Sequence, residues 1–204
     1  MLQFITHPSD LYSIPEEVQM VLEGGCRWIQ LRMKDASDSE IREVAKEVIP
    51  MCRENSAFLV IDDRVDLCRE FGIHGVHLGK EDMPPAEARE FLGPEAIIGV
   101  TANTVDDILA LRGLDVDYVG LGPFAQTSTK KRLAPVLGLD SYSRIIAEVR
   151  RHGIDLPIVA IGGIELKDVE PLKRAMVNGI AMSGAILRSD NPVAYTTEVM
   201  KLLR

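Results

Sequence analysis

Midway along the chain the apolar run "DYVGL" passes directly into "GPFAQTSTKK", Gly122 to Lys131. A loop that had only to turn could stop at Gly122-Pro123. Instead Thr127, Ser128, Thr129 and Lys130 follow, three hydroxyls and an ammonium gathered after a strand-like segment. Donors collected in this way suit an anion. Comparable groups follow the other apolar runs. Gln30, Arg32 and Lys34 fall on one side of an extended segment by alternation. Asp62, Asp63 and Arg64 close the next run. "HLGKEDMP" brings His77, Lys80, Glu81 and Asp82, and "IIGVTAN" brings Thr101 and Asn103. "AIGGI" and "MSGAI" supply Gly162, Gly163, Ser183 and Gly184.

Each group admits a chemical reading and a plainer one. Glycines let main-chain N–H groups come close to a phosphate, but a double glycine also makes an ordinary tight turn. Arg32, Lys34 and Lys130 form a second anion cluster, or are solvated surface charge. Asp63 and Asp82 follow neighbouring runs, and two close carboxylates repel unless a cation or a shared proton intervenes. Mg2+ is the natural cation, since it takes one or two carboxylates together with phosphate oxygens. Equally, Asp63 could cap a helix at 65–71, and Asp82 one beginning near Pro84-Pro85. His77 reads as a hydrogen-bonded wall residue in preference to a general base. Cys26, Cys52 and Cys68 lack a paired base and are not read as nucleophiles. Trp28, the single tryptophan, is assigned to packing between helices and strands.

The elements that must position these groups are short β-branched runs separated by amphipathic segments. The strands are expected at 2–6, 28–32, 58–62, 75–78, 97–100, 118–122, 158–162 and 179–184. They show little alternation, which suits strands of a parallel sheet covered on both faces. Between them, "DSEIREVAKEVIPMCREN" places Ile41, Val44, Ala45 and Val48 on one helical face. "PEEVQMVLEGG" opens with proline and acids and closes on glycines, the signals of a helix start and stop. Eight strands alternating with about eight helices predict a (β/α)8 TIM barrel, an α/β fold occupying residues 1–204 as one domain. The chain's 204 residues lie near the roughly 200-residue minimum for that fold. A doubly wound sheet would concentrate its chemistry at one switch point, whereas here polar groups follow nearly every strand. In a barrel those groups meet at the carboxyl-end mouth, where the loops after strands 7 and 8 often hold a phosphate.

A net charge of −8 argues against nucleic acid or a membrane surface as partner. Any anion site must be a local basic cluster in an acidic protein. No apolar run approaches the ~20 residues that span a bilayer. The amino-terminal "MLQFITHPSD" has no basic start followed by a long apolar stretch, and the cysteines show no metal-ligand spacing, so a cytoplasmic protein is expected. The sequence leaves a homo-oligomer open.

In combination, "QLRMK", "DDRVDL", "GVHLGKEDMP", "DYVGLGPFAQTSTKK", "AIGGI" and "GIAMSGAI" resemble the thiamine-phosphate synthase family over essentially the whole chain. The resemblance implies a (β/α)8 barrel that joins 4-amino-2-methyl-5-hydroxymethylpyrimidine diphosphate to a thiazole phosphate, releasing diphosphate. It implies a pyrimidine-diphosphate site of Gln30, Leu31, Arg32, Met33, Lys34, Asp62, Thr101 and Lys130. It implies Mg2+ on Asp63 and Asp82, and a thiazole-phosphate site of Thr127, Ser128, Thr129, Gly163, Ser183 and Gly184. Arg32, Lys34 and Lys130 would stabilise the leaving diphosphate, with no strong base required. The family usually has Asn at the position of Asp62, Ser at that of Thr101, and Val-Ser or Ile-Ser at that of Ser183-Gly184. The alternatives are a related thiazole isomerase, which would lack the diphosphate and metal residues, and a non-catalytic phosphate-ligand sensor with a degraded metal site. A phosphosugar isomerase would require a clear acid/base pair.

Overall fold

The computed structural model describes residues 1–126 and 134–204. Eight parallel strands follow one another in chain order and close on themselves: β1 (Leu2–Ile5), β2 (Trp28–Leu31), β3 (Phe58–Asp62), β4 (Gly75–Leu78), β5 (Ile97–Ala102), β6 (Tyr118–Leu121), β7 (Ile158–Ile161) and β8 (Gly179–Met182). β8 pairs back onto β1 through Gln3 and Ala181. Every expected strand is present, and the differences lie at the ends. β5 runs to Ala102, because Gly120 and Leu121 of β6 supply ladder partners for Thr101 and Ala102. Thr101 is therefore inside a strand, not after one. β8 stops at Met182, and Ser183 instead leads into a short helix.

The connecting helices are α1 (Ile14–Glu23), α2 (Asp38–Glu54), α3 (Val65–Phe71), α4 (Pro85–Leu92), α5 (Val105–Leu109), α6 (Gly138–Arg151), α7 (Val169–Arg174), α8 (Gly184–Leu187) and α9 (Pro192–Leu202), with a 3-10 turn at Leu166–Asp168. Local sequence fixes several of their starts. Ser13 with Glu16, Ser37 with Glu40 and Thr104 with Asp107 each form a reciprocal capping box, satisfying main-chain N–H groups that a helix start leaves without partners. α2 turns Ile41, Ala45, Val48 and Cys52 inward as the periodicity predicts, with Val44 only half-buried at the edge of that stripe.

The main core lies between strands and helices, where Phe4, Ile29, Leu59 and Ile98 meet Val18, Val48 and Val149. A smaller cluster, Ile5, Tyr118, Val159 and Ala181, forms separately, with Trp28, Ile97 and Ile161 packed against it. This corrects the expectation for Trp28. It joins this smaller cluster instead of the layer between helices and strands, and its ring meets Tyr118 edge-on with centroids 4.8 Å apart. Polar side chains are buried among the strands as well, namely Gln3, Gln30 and His77. Gly99 makes room there, since a Cβ at that position would lie 2.1 Å from the Tyr118 ring.

Candidate active site at the barrel mouth

The loops after β2, β3 and β4 bring opposite charges together. Arg32 Nε lies 3.4 Å from Asp62 Oδ2. The Lys34 ammonium lies 3.4 Å from Asp63 Oδ2 and 3.8 Å from Asp82 Oδ1, so both carboxylates face one cation. Arg64 pairs with Asp63 and, at 3.2 Å, with Asp38. Asp63 is held by its own backbone. Its N–H donates to the His77 carbonyl at 2.9 Å, extending the β3–β4 ladder one step, and its φ of +59° turns the chain there. Asp tolerates this left-handed region better than most residues. Asp82 Oδ2 accepts from Gly79 N–H at 2.6 Å, which fixes the β4 loop. Neither carboxylate caps a helix. Arg64 and Pro84 occupy the cap positions of α3 and α4, and neither makes a side-chain cap bond. Lys80 turns away to Asp107 at 2.6 Å.

Gln30 is buried within β2, at the inner end of this group. Leu31 is buried in the main core, so it has only its main chain to offer a ligand, and Met33 is half-buried against that core. Beside them runs a chain of hydrogen bonds. Gln3 Nε2 donates to the Tyr118 hydroxyl at 3.0 Å. His77 Nδ1 lies 3.0 Å from the same hydroxyl, and His77 Nε2 lies 3.0 Å from Thr101 Oγ1. Burial pushes the Tyr118 phenol well above its ordinary pKa, so it keeps its proton. The network is satisfied when that proton goes to Nδ1 and Nε2–H donates to Thr101. Thr101 then retains its own O–H for a further acceptor. With both ring nitrogens engaged, His77 behaves as the wall residue the sequence suggests. Asn103 donates its side-chain N–H to the Gly122 carbonyl, tying the loop after β5 to the end of β6.

At the far side of the mouth the chain after β6 stays in register with β7. Phe124 N–H donates to the Ile161 carbonyl at 2.8 Å and Ala125 N–H to the Gly162 carbonyl at 2.9 Å. Gly163, at φ +68°, packs against this segment so closely that a Cβ would lie 2.5 Å from the Gln126 carbonyl oxygen. The double glycine is thus required by chain packing as well as suited to an anion. Ser183 Oγ is buried without a hydrogen-bond partner among the described residues. The Arg188 guanidinium lies over Gly184, where a Cβ would come 2.3 Å from Nη1. Thr127, Ser128, Thr129 and Lys130 lie outside the described residues.

Sequence reasoning found the charged groups after β2, β3 and β4 but missed Tyr118, Gln3 and Arg188. Tyr118 and Gln3 sit at the amino ends of their strands, and only the long tyrosine side chain, which reaches His77 at its hydroxyl, signals a role further up the barrel. Arg188 follows Gly184 by one helical turn, a spacing that was available in the sequence.

Among the described residues, Asp63 and Asp82 are the pair that could hold a divalent cation. Among the described residues no three His, Cys, Asp or Glu side chains cluster as a protein-only metal cage. Asp63 and Asp82 nevertheless share one cationic neighbour in Lys34, and a two-carboxylate donor set completed by ligand oxygens suits Mg2+. The Lys34 side chain is 44% exposed and can leave them.

A closed (β/α)8 barrel with cations, carboxylates and hydroxyls at its carboxyl-end mouth defines a barrel enzyme. Residues 2–186 match the family described as thiamine monophosphate synthase, and the chain belongs to that family. It is 52% identical to the thiamine-phosphate synthase of Phocaeicola vulgatus over 98% of this chain and 97% of that one. It is 49% identical to that of Bacteroides fragilis over 98% of each. Among solved structures it resembles the thiamine phosphate pyrophosphorylase of Pyrococcus furiosus, with a TM-score of 0.86, 32% identity, and coverage of 99% of this chain and 94% of that one. A 3-hexulose-6-phosphate synthase shares the fold alone, at a TM-score of 0.67 and 13% identity over 100% of this chain and 99% of that one.

Proposed function

We propose that this chain couples 4-amino-2-methyl-5-hydroxymethylpyrimidine diphosphate with a thiazole phosphate, or its ring-carboxylated form, to give thiamine phosphate and free diphosphate. The observation that carries the reading is the meeting of Asp63 and Asp82 at Lys34, beside the Arg32–Asp62 pair. This is the equipment a diphosphate leaving group needs, and a thiazole isomerase or a degraded sensor would not need it. In the reaction the bond between the pyrimidine methylene carbon and the diphosphate oxygen breaks, its electron pair leaving on oxygen. The thiazole nitrogen then gives its lone pair to the same carbon. Arg32, Lys34 and Lys130 stabilise the departing charge. Asp63 and Asp82 would hold Mg2+, which when bound neutralises charge on the diphosphate oxygens. Gln30 and the Thr101 hydroxyl orient the pyrimidine side, with Leu31 and Met33 acting through their main chain. Thr127, Ser128, Thr129, Gly163, Ser183 and Gly184 anchor the thiazole phosphate, keeping its nitrogen in line. No helix among the described residues is long and apolar enough to cross a membrane. Cys26, Cys52 and Cys68 are buried free thiols, in keeping with a cytoplasmic enzyme.

The test is incubation with both substrates, with and without Mg2+, and detection of thiamine phosphate by mass. Product should form and should depend on Mg2+. Asp63→Ala and Asp82→Ala should each remove that dependence, because a two-carboxylate anchor is broken. Absence of thiamine phosphate with both substrates and Mg2+ present would refute the reading.

A further inference from the structure

β1 ends at Ile5, yet its pairing with β2 continues through a side chain. Thr6 N–H donates to the Gln30 carbonyl at 3.0 Å, the next rung of the parallel ladder. A continued ladder would then give Arg32 N–H to the Thr6 carbonyl. Arg32 N–H instead donates to Thr6 Oγ1 at 2.8 Å, and the Thr6 hydroxyl donates back to the Arg32 carbonyl at 3.2 Å. One fully buried hydroxyl thus engages both main-chain polar atoms of the residue at which β2 becomes loop. The clamp is itself braced. The neighbouring His7 N–H donates to Glu17 Oε2 of α1 at 3.0 Å, so the chain beyond β1 is fixed from the helix side. Arg32 carries the guanidinium that lies 3.4 Å from Asp62, and a loop residue freed from its backbone bonds would lose that placement.

We propose that Thr6 is a positioning residue for Arg32, its hydroxyl holding the guanidinium where the diphosphate of the pyrimidine substrate binds. This rests on the function proposed above and adds to it a residue that touches no substrate. Threonine suits the task because a hydroxyl can donate and accept at once, and because its branched β-carbon restricts the rotamer that presents it. Valine keeps the volume and removes both bonds, leaving the Arg32 N–H and C=O without that partner. Serine keeps both bonds.

The experiment measures binding of inorganic diphosphate in the presence of Mg2+, and of thiazole phosphate separately, by calorimetry. Wild type, Thr6→Val, Thr6→Ser, Arg32→Ala and the Thr6→Val/Arg32→Ala double variant are compared. Thr6→Val should weaken diphosphate binding about tenfold, the scale of one or two lost hydrogen bonds. Thr6→Ser should stay within about threefold of wild type, at most about half of that effect in free energy. Thiazole phosphate should bind every variant as it binds wild type. Thr6→Val should add nothing once Arg32→Ala is in place. In 1H–15N spectra of the free protein, the Arg32 Nε–H signal, assigned by its loss in Arg32→Ala, should move in Thr6→Val and hold in Thr6→Ser. Equal losses for both ligands, an independent loss in the double variant, or an unmoved Arg32 signal would overturn the proposal. A wild type that binds no diphosphate would refute the functional reading. A wild type that binds it, with Thr6→Val unchanged, would overturn this inference alone.

Discussion

At the scale of single residues, Asp62 is the informative position. An ionised carboxylate at the end of β3 would repel a diphosphate unless a cation lies between them. The structure supplies that cation within the protein, since Arg32 Nε stands 3.4 Å from Asp62 Oδ2. Along the chain the nearest cation is Arg64, two residues on. Arg64 is instead committed to Asp63 and Asp38. Asp62→Asn should therefore release Arg32 from its counter-charge while keeping an oxygen acceptor beside it. Diphosphate affinity should rise several-fold, about 1 kcal/mol, and half-saturation by Mg2+ should not change. Calorimetric titration of the variant with diphosphate, at fixed Mg2+, decides this, and unchanged affinity would mean that Asp62 does not hold back the Arg32 charge. The charged residues were legible because ions rarely end apolar runs without a reason. The Thr6 clamp was not, because its two ends lie 26 residues apart and only strand register brings them together.

At the scale of elements, the barrel separates chemistry from stability. Arg89 of α4 illustrates the stabilising face, away from the mouth. It donates to the carbonyls of Gly93 at 3.0 Å, Ala96 at 2.6 Å and Asp115 at 3.1 Å, and pairs with Asp117 at 2.7 Å. Asp117 in turn accepts from Ile98 N–H at 2.7 Å. One guanidinium, 12% exposed, so ties the end of α4 to the chain entering β5 and β6. Arg89→Ala strands several of these acceptors, and stability to urea should fall by about 2–4 kcal/mol. Substrate KM values, measured where the variant is folded, should match wild type. A raised KM with unaltered stability would place Arg89 in the site's support instead. The strands themselves were legible as apolar runs of four to six residues, and helix starts were legible where Ser or Thr precedes Glu or Asp by three. The inner and outer faces were not, because strands covered on both sides lack alternation. That is why Trp28 was assigned to the wrong layer.

At the scale of the whole molecule, closing the sheet leaves every strand paired on both sides and buries whatever lies between strand ends and helices. Glu17 is caught there. In the sequence it reads as one of two acids suited to the first turn of a helix, and Glu16 takes that part in its capping box. Glu17 is instead fully buried, 0% exposed, one oxygen accepting from His7 N–H and the other without a hydrogen-bond partner among the described residues. Burial pushes its carboxyl from the ordinary 4.5 up to about 8, with the His7 N–H pulling weakly the other way. The folded chain thus binds this proton more tightly than the unfolded chain does. Its contribution to stability is fully present below pH 4.5, is lost progressively as pH rises toward about 8, and is gone above that. This slope is opposite to that of paired carboxylates such as Glu70, whose carboxyl Arg42 holds below its ordinary value. Glu17→Gln removes the titration while keeping an acceptor for His7. Denaturant unfolding of both proteins from pH 5 to pH 8 should show wild type losing stability relative to the variant across that window. A constant difference between the two would mean that the Glu17 carboxyl keeps the same proton affinity folded and unfolded.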